Sequence, residues 1–398
     1  MNLTATKYRV QSIDVLRGVV MIIMALDHVR DFFHKEAFTD DPLNLATTTV
    51  PLYFTRWITH FCAPIFVFLA GTSAYLSGQK KTKTQLSRFL ISRGVWLILI
   101  EIVIITLGIT FNPLYNVIIF QVIWAIGISM VILGLLVYLP YTVILLIGLC
   151  IVLGHNLLDY PEAAMAAENK PVGFLWDLVH RGRFAVYPYA ANHALIIVYA
   201  FLPWTGIMLM GYATGKLFES SVDPARRRKL LLLTGLGLVA LFVILRTINE
   251  YGNPFPWATQ KDGITTLLSF LNVNKYPPSL MYACITIGPG LIFLSLIERV
   301  QNGFTAFAKI YGRVPFFYYV IHFYLIHALT VLAFYLSGYS NADIVTPNSI
   351  FLFRPIQFGY DLWFVYLVWF AVVIALFPLC RWYNRYKTMN HHWWLSYV

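Results

Sequence analysis

Ten apolar runs are each long enough to cross a bilayer; they lie near residues 15–34, 58–78, 94–111, 117–138, 141–158, 195–215, 230–248, 279–297, 314–337 and 362–381. Hydrocarbon offers no water to the backbone, so a spanning segment must satisfy its own N–H and C=O groups, and a helix does so within one segment. The expected fold is therefore all-α: a polytopic integral membrane protein of about ten transmembrane helices, forming one transmembrane domain over residues 1–398. Only 12% of the residues are charged, against roughly 25% in soluble domains.

Loop charge orients the spans. With the N-terminus inside, the inner segments carry 18 Lys and Arg residues and the outer segments 8, so both termini are expected to be cytoplasmic. Removing the fifth span would place "DPARRRKL" (223–230) outside, against that bias. A net charge of +11 would suggest nucleic acid in a soluble protein; here it is read as loop charge facing anionic membrane lipid and an anionic substrate, with no nucleic-acid partner. Cys62, Cys150, Cys284 and Cys380 lie in apolar runs without ligand-like spacing, so neither a disulfide framework nor a metal site is expected. The first apolar run is too long, and too interrupted by Asp14 and Arg17, for a cleavable signal. Three outer segments, 35–57, 159–194 and 249–278, are long and rich in aromatics, Pro and Asn, as loops that fold over a site tend to be.

The first span, "SIDVLRGVVMIIMALDHVRDFFH" (12–34), is the anomaly. A charge in hydrocarbon costs about 2.5 kcal/mol or more on insertion scales, yet this segment holds Asp14, Arg17, Asp27, His28, Arg30, Asp31 and His34. Asp14, Arg17, Met21, Met24, His28 and Asp31 follow 3-4-3-4-3 spacing and share one helical stripe. Asp14 and Arg17 are i,i+3 partners at the inner end, and His28 and Asp31 at the outer end. Asp27, Asp31 and His34 occupy an adjoining stripe. A carboxylate beside an imidazole fixes its tautomer and raises its basicity, the arrangement a general base needs. The competing reading is an interfacial helix end with satisfied ion pairs. Glu101, Gln121, His322 and His327 add polar groups inside other spans, and each serves equally well as a structural interhelical hydrogen bond. His60 opens the second span near the level of His28. His391 and His392 are read as incidental. The sequence contains no G-x-S-x-G, H-E-x-x-H or Walker pattern.

In order along the chain, "SIDVLRGVVMIIM", "APIFVFLAGTSAYLS" (63–77), "GIMLMGYATGKL" (206–217), "VNKYPPSLMY" (273–282) and "GRVPFFYYVIH" (312–322) resemble motifs of the heparan-α-glucosaminide N-acetyltransferase family, most specifically at 273–282. The wording "LDHVRDFFH" is similar to the bacterial branch, which implies the inner (plasma) membrane. The resemblance implies acetyl-coenzyme A (acetyl-CoA) as cytoplasmic co-substrate, and a glycan or amino-sugar acceptor on the other side. In the family's lysosomal enzyme an Asn at the outer end of the first helix, and a His soon after it, carry the chemistry. The Asn position falls on His28 here, and His34 is nearest to the His, so His28, Asp31, His34 and Asp27 are the catalytic candidates. Acyl-histidine and direct transfer both remain open.

Arg17 and Asp14, with Lys80, Lys81, Lys83 and the 226–229 basic run, are candidates for the donor's phosphates. Asn274, Lys275, His60 and His322 are candidates for the acceptor side, where Asn274 and Lys275 could also steady an oxyanion. The segment 273–282 is expected to cap the next helix as a fixed turn, because its Pro pair cannot easily continue a helix. The leading expectation is a membrane acyltransferase. A proton-coupled transporter or flippase would use the same buried charges as a relay, and a membrane scaffold would leave them unexplained. A homodimer is allowed but not required.

Overall fold

The computed structural model describes residues 10–346, 349–390 and 392–396. Lys7, Arg9 and His391 therefore lie outside the described residues. In chain order the main elements are α1 (Gln11–Phe33), α2 (Val50–Gly78), α3 (Lys83–Thr110), β1 (Val117–Phe120), α4 (Val122–Leu136), α5 (Tyr141–Ala167), β2 (Ala185–Ala190) and β3 (His193–Ile197). Then follow α6 (Phe201–Thr214), α7 (Pro224–Ile248), α8 (Gly263–Leu271), α9 (Leu280–Ile297), α10 (Gly303–Arg313), α11 (Pro315–Leu336) and α12 (Leu362–Met389). Helices α2, α3, α5, α7, α9, α11 and α12 have the length and apolarity to cross a membrane, and the chain is a polytopic integral membrane protein.

Two expected spans are built differently. The apolar runs 117–138 and 195–215 each begin as a strand, which leaves α4 with 15 residues and α6 with 14. At 1.5 Å per residue these rise about 22 Å, short of the roughly 30 Å of hydrocarbon. The strands read "VIIF" and "HALII" (193–197, overlapping the start of the second run), rich in the branched residues that suit a pleated surface. β1 pairs in parallel with β3, and β2 antiparallel with β3, giving the order β1-β3-β2. The fold is thus mostly helical with one small sheet, rather than all-α.

Helix α1 is the central post, contacting α2, α9, α10, α11 and α12. Without a hydrophobic driving force between helices in lipid, close backbone approach does the packing. A Cβ on Gly18 would come within 1.8 Å of the Ala308 carbonyl oxygen, and one on Gly312 within 1.7 Å of that of Asp14, so α1 and α10 interlock at these two glycines. Gly71 and Gly211 form the matching contact between α2 and α6. Those contacts account for the glycines of "LRG", "GRV", "LAGTS" and "LMGY" as packing residues.

Glu101 is accounted for as well. Its Oε1 accepts the Gln121 N–H at 3.0 Å, at the start of α4, where the first helical N–H groups lack partners. A carboxylate there also complements the helix dipole.

Candidate active site

At its C-terminal end α1 buries its charges against α2. Asp27 Oδ2 accepts from Arg56 at 2.5 Å, and Asp27 Oδ1 from Arg30 at 3.1 Å. Arg30 also holds Asp31 Oδ1 at 2.6 Å. Both carboxylates expected beside His28 are therefore committed to arginines. The His28 ring instead meets a second imidazole from α11: His28 Nδ1 and His322 Nε2 stand 2.7 Å apart. This corrects the expected histidine–carboxylate pair, and the reason is Arg56, whose guanidinium competes for Asp27.

The hydrogen bonds fix both tautomers. His322 Nδ1 lies 2.5 Å from the Tyr319 carbonyl oxygen and 3.2 Å from that of Tyr318. Carbonyls only accept, so the proton sits on His322 Nδ1 and leaves Nε2 with a lone pair. That lone pair must receive its hydrogen from His28 Nδ1. In the neutral pair His28 Nε2 is then unprotonated, with its lone pair available as a base.

His28 borders a small chamber of about 40 Å³, lined also by Asp27, Gln121, Tyr199, Lys275 and Tyr319. A space of about 10–15 Å³ on this measure already admits a water, so the chamber can be wet. Next to it lies a cavity of about 550 Å³ whose lining includes Asn44, Arg56, His60, Asn274, Lys275 and Tyr276. Lys275 lines both spaces. Its Nζ lies 5.1 Å from the centre of the Tyr276 ring and 6.0 Å from that of Tyr199, within reach of a cation–π attraction. Burial pushes the Tyr276 phenol up, but Lys275 and then Arg56 outweigh it, so Tyr276 is held below the usual phenol range.

The segment 273–280 is a fixed turn, as its sequence suggests. Ser279 caps α9 by accepting the Tyr282 N–H at 3.1 Å. The Asn274 side chain donates to the Pro277 carbonyl at 2.9 Å, and its own N–H goes to Asn253 Oδ1 at 2.8 Å. Three groups from the 155–184 region hold the turn from outside. Arg183 Nε donates to the Tyr276 carbonyl at 2.8 Å, Asn156 Oδ1 accepts the Leu280 N–H at 2.9 Å, and His155 bonds the Pro278 carbonyl.

Behind His155 stands a second polar cluster. His155 Nδ1 meets His180 Nε2 at 3.2 Å, and His180 Nδ1 meets Glu162 Oε1 at 2.6 Å. Asp159, Glu162 and His180 bring potential ligand atoms within 4.8 Å of one another. His180 pairs with Glu162 and Asp159 Oδ2 with Asn156 at 2.7 Å, while Asp159 Oδ1 is buried without a hydrogen-bond partner. The cluster works as a hydrogen-bonded latch on the turn.

The remaining candidates separate. His34 faces a different crevice, lined by Arg30, Asp40 and Thr48, and does not border the chamber. His60 lines the larger cavity, 2% exposed, and neither ring nitrogen has a hydrogen-bond partner. His327 is spent on the Leu352 carbonyl at 2.8 Å and on stacking with Phe111. Arg17, at the other end of α1, reaches Asp14 at 3.4 Å, Ser73 Oγ at 3.0 Å and the Gly312 carbonyl at 3.2 Å. A cavity of about 470 Å³ beside that end is lined by Gln11, Ser12, Arg227, Asn302 and Lys309, and not by Arg17 or Asp14. Arg227, from the 226–229 basic run, pairs with Glu298.

Arg56, Tyr276 and Tyr319 are the site residues that sequence reasoning missed. Arg56 stands four residues before His60 on α2, a helical spacing that could have revealed it. Residues 9–247 match the family described as heparan-alpha-glucosaminide N-acetyltransferase, catalytic, and no curated protein matches the chain.

Proposed function

The chain belongs to the heparan-alpha-glucosaminide N-acetyltransferase family, a family of membrane acetyltransferases that use acetyl-CoA, and from that premise we propose that His28 is the general base of acetyl transfer to a sugar-like acceptor. The observation that carries this reading is the His28–His322 pair, which leaves a lone pair on Nε2 of a ring that borders a chamber. In this reading all ten apolar runs contribute to crossing the membrane, with both termini cytoplasmic and the whole chain acting as one domain in a bacterial inner membrane. The acceptor, a glycan or amino sugar, enters from the 550 Å³ cavity on the far side.

The donor's phosphates bind at the opposite end of α1. Lys309 and the N-terminal end of α10 give that cavity a lining suited to anions, while Arg227 there is matched by Glu298, and Arg17 stands near the same end. The acceptor's hydroxyl or amine attacks the thioester carbonyl carbon, its proton passes to His28 Nε2, and the carbonyl π pair moves onto oxygen. The pair then returns, the C–S bond breaks, and the coenzyme thiolate takes the proton back from His28. His322 holds the ring through both steps, and the Lys275 ammonium stabilises the negative oxygen across the chamber. Asp27, Arg56 and Asn274 position these groups rather than react.

The test is incubation of purified protein with isotopically labelled acetyl-CoA and a panel of bacterial envelope glycans, followed by mass spectrometry. Acetyl gained on a glycan supports the proposal. Acetyl retained on His28 would replace base catalysis by an acyl-histidine route. Proton flux into liposomes without acetyl-CoA, with no acetyl moved, would favour a transporter.

A further inference from the structure

Tyr319 is 3% exposed, and its hydroxyl is buried without a hydrogen-bond partner. An unsatisfied buried hydroxyl costs about 1–3 kcal/mol, so its retention asks for a reason. Its surroundings supply one. Tyr319 borders the same chamber as His28, with ring centroids 6.3 Å apart at 82°. The Tyr319 main-chain carbonyl also takes the His322 Nδ1 hydrogen, so one residue anchors the imidazole relay and lines its chamber. Among the other hydroxyl, phenol and thiol groups around the chamber, Thr59 donates to the Arg56 carbonyl, Cys62 to the Val20 carbonyl, and Tyr199 is engaged with Tyr276. Tyr319 remains uncommitted.

We propose that the Tyr319 hydroxyl is a catalytic hydrogen-bond donor to the oxyanion formed when the acceptor attacks the acetyl carbonyl. The inference rests on the acetyl-transfer reading above and assigns that reaction a residue from the C-terminal part of the chain, beyond the matched stretch. Attacking atom and oxyanion are bonded to one carbon, so base and donor must stand a few ångströms apart across a single small space. The rings of His28 and Tyr319, with centroids 6.3 Å apart, line one such space. As the nucleophile's bond to carbon forms, the carbonyl π pair becomes the oxyanion and the Tyr319 O–H points to it. When the C–S bond breaks the pair returns and the Tyr319 proton stays where it was. Tyr319 gives up no proton in the cycle; its action is electrostatic.

Tyr318 is the internal control. It is fully buried, its hydroxyl also lacks a partner, and it packs against Tyr311 and His322 without bordering the chamber. The experiment compares wild type, Tyr319→Phe and Tyr318→Phe, following release of coenzyme thiol from acetyl-CoA with glucosamine as the acceptor probe, alongside acetyl-CoA binding and thermal stability. The expected result is a fall in kcat of about 10²–10³-fold for Tyr319→Phe, with acetyl-CoA affinity unchanged and Tm equal or higher, because the orphan hydroxyl is gone. Tyr318→Phe should keep wild-type kcat. Wild-type kcat in Tyr319→Phe overturns the inference alone, and so does an equal fall in both variants accompanied by lower Tm. Absence of transfer by the wild-type protein to glucosamine and to every glycan of the panel above overturns the acetyl-transfer reading and the inference together.

Discussion

Among the described residues two histidine pairs stand in hydrogen-bond contact, and they are put to different uses. His155 and His180 end on Glu162, whose Oε1 also takes the Trp176 N–H at 2.7 Å, and on the Pro278 carbonyl. These two residues are 5% and 0% exposed. His28 and His322 end on a backbone carbonyl instead, and His28 is only partly buried and borders a chamber. A carboxylate terminus favours a charged, closed network; a carbonyl terminus passes a tautomer along the chain and leaves the last nitrogen basic. Two imidazoles in contact are therefore not in themselves a site. The terminus and the open space decide.

Substitutions should separate the two pairs. The largest effect is expected from His28→Ala: insertion, purification and acetyl-CoA binding retained, with transfer slowed by at least about 100-fold. Near-normal turnover would place His28 with the structural pair. His322→Ala removes the tautomer anchor and should slow transfer by about 10–100-fold, as loss of a positioning partner does at other histidine sites. Lys275→Met should weaken transfer by about tenfold, the loss of roughly 1.5 kcal/mol from one charge-assisted hydrogen bond. Glu162→Gln should act on the latch instead, lowering stability by about 1–3 kcal/mol and leaving the folded protein's kcat close to wild type. The smallest effect on turnover is expected from His34→Ala, whose ring faces another crevice. Collapse of activity there with His28→Ala active would exchange their roles.

These assignments show where sequence was informative. Long apolar runs announce spanning helices because hydrocarbon permits little else, and the Asp14–Arg17 pair followed from i,i+3 spacing. The 273–282 turn was legible from its prolines. The partner of His28 was not, because helical spacing ranks neighbours within α1 and says nothing about Arg56 entering from α2 or His322 from α11, 294 residues along the chain. The strands at 117–120 and 193–197 were hidden for a related reason: a short apolar run followed by an apolar helix has one continuous hydropathy signal. Tyr319 carries no sequence mark at all, since its buried, unpartnered hydroxyl exists only once α11 packs beside α1.

The central claim is that His28 presents a bare Nε2 because His322 fixes its tautomer. Nitrogen-15 NMR of histidine-labelled protein in lipid bilayers, with the His28 signals identified by their loss in His28→Ala, reads this directly. The account predicts a protonated, pyrrole-type Nδ1 and an unprotonated, pyridine-type Nε2 for His28 in the neutral resting protein, with the pattern lost in His322→Ala. A protonated Nε2 with a bare Nδ1 would contradict it.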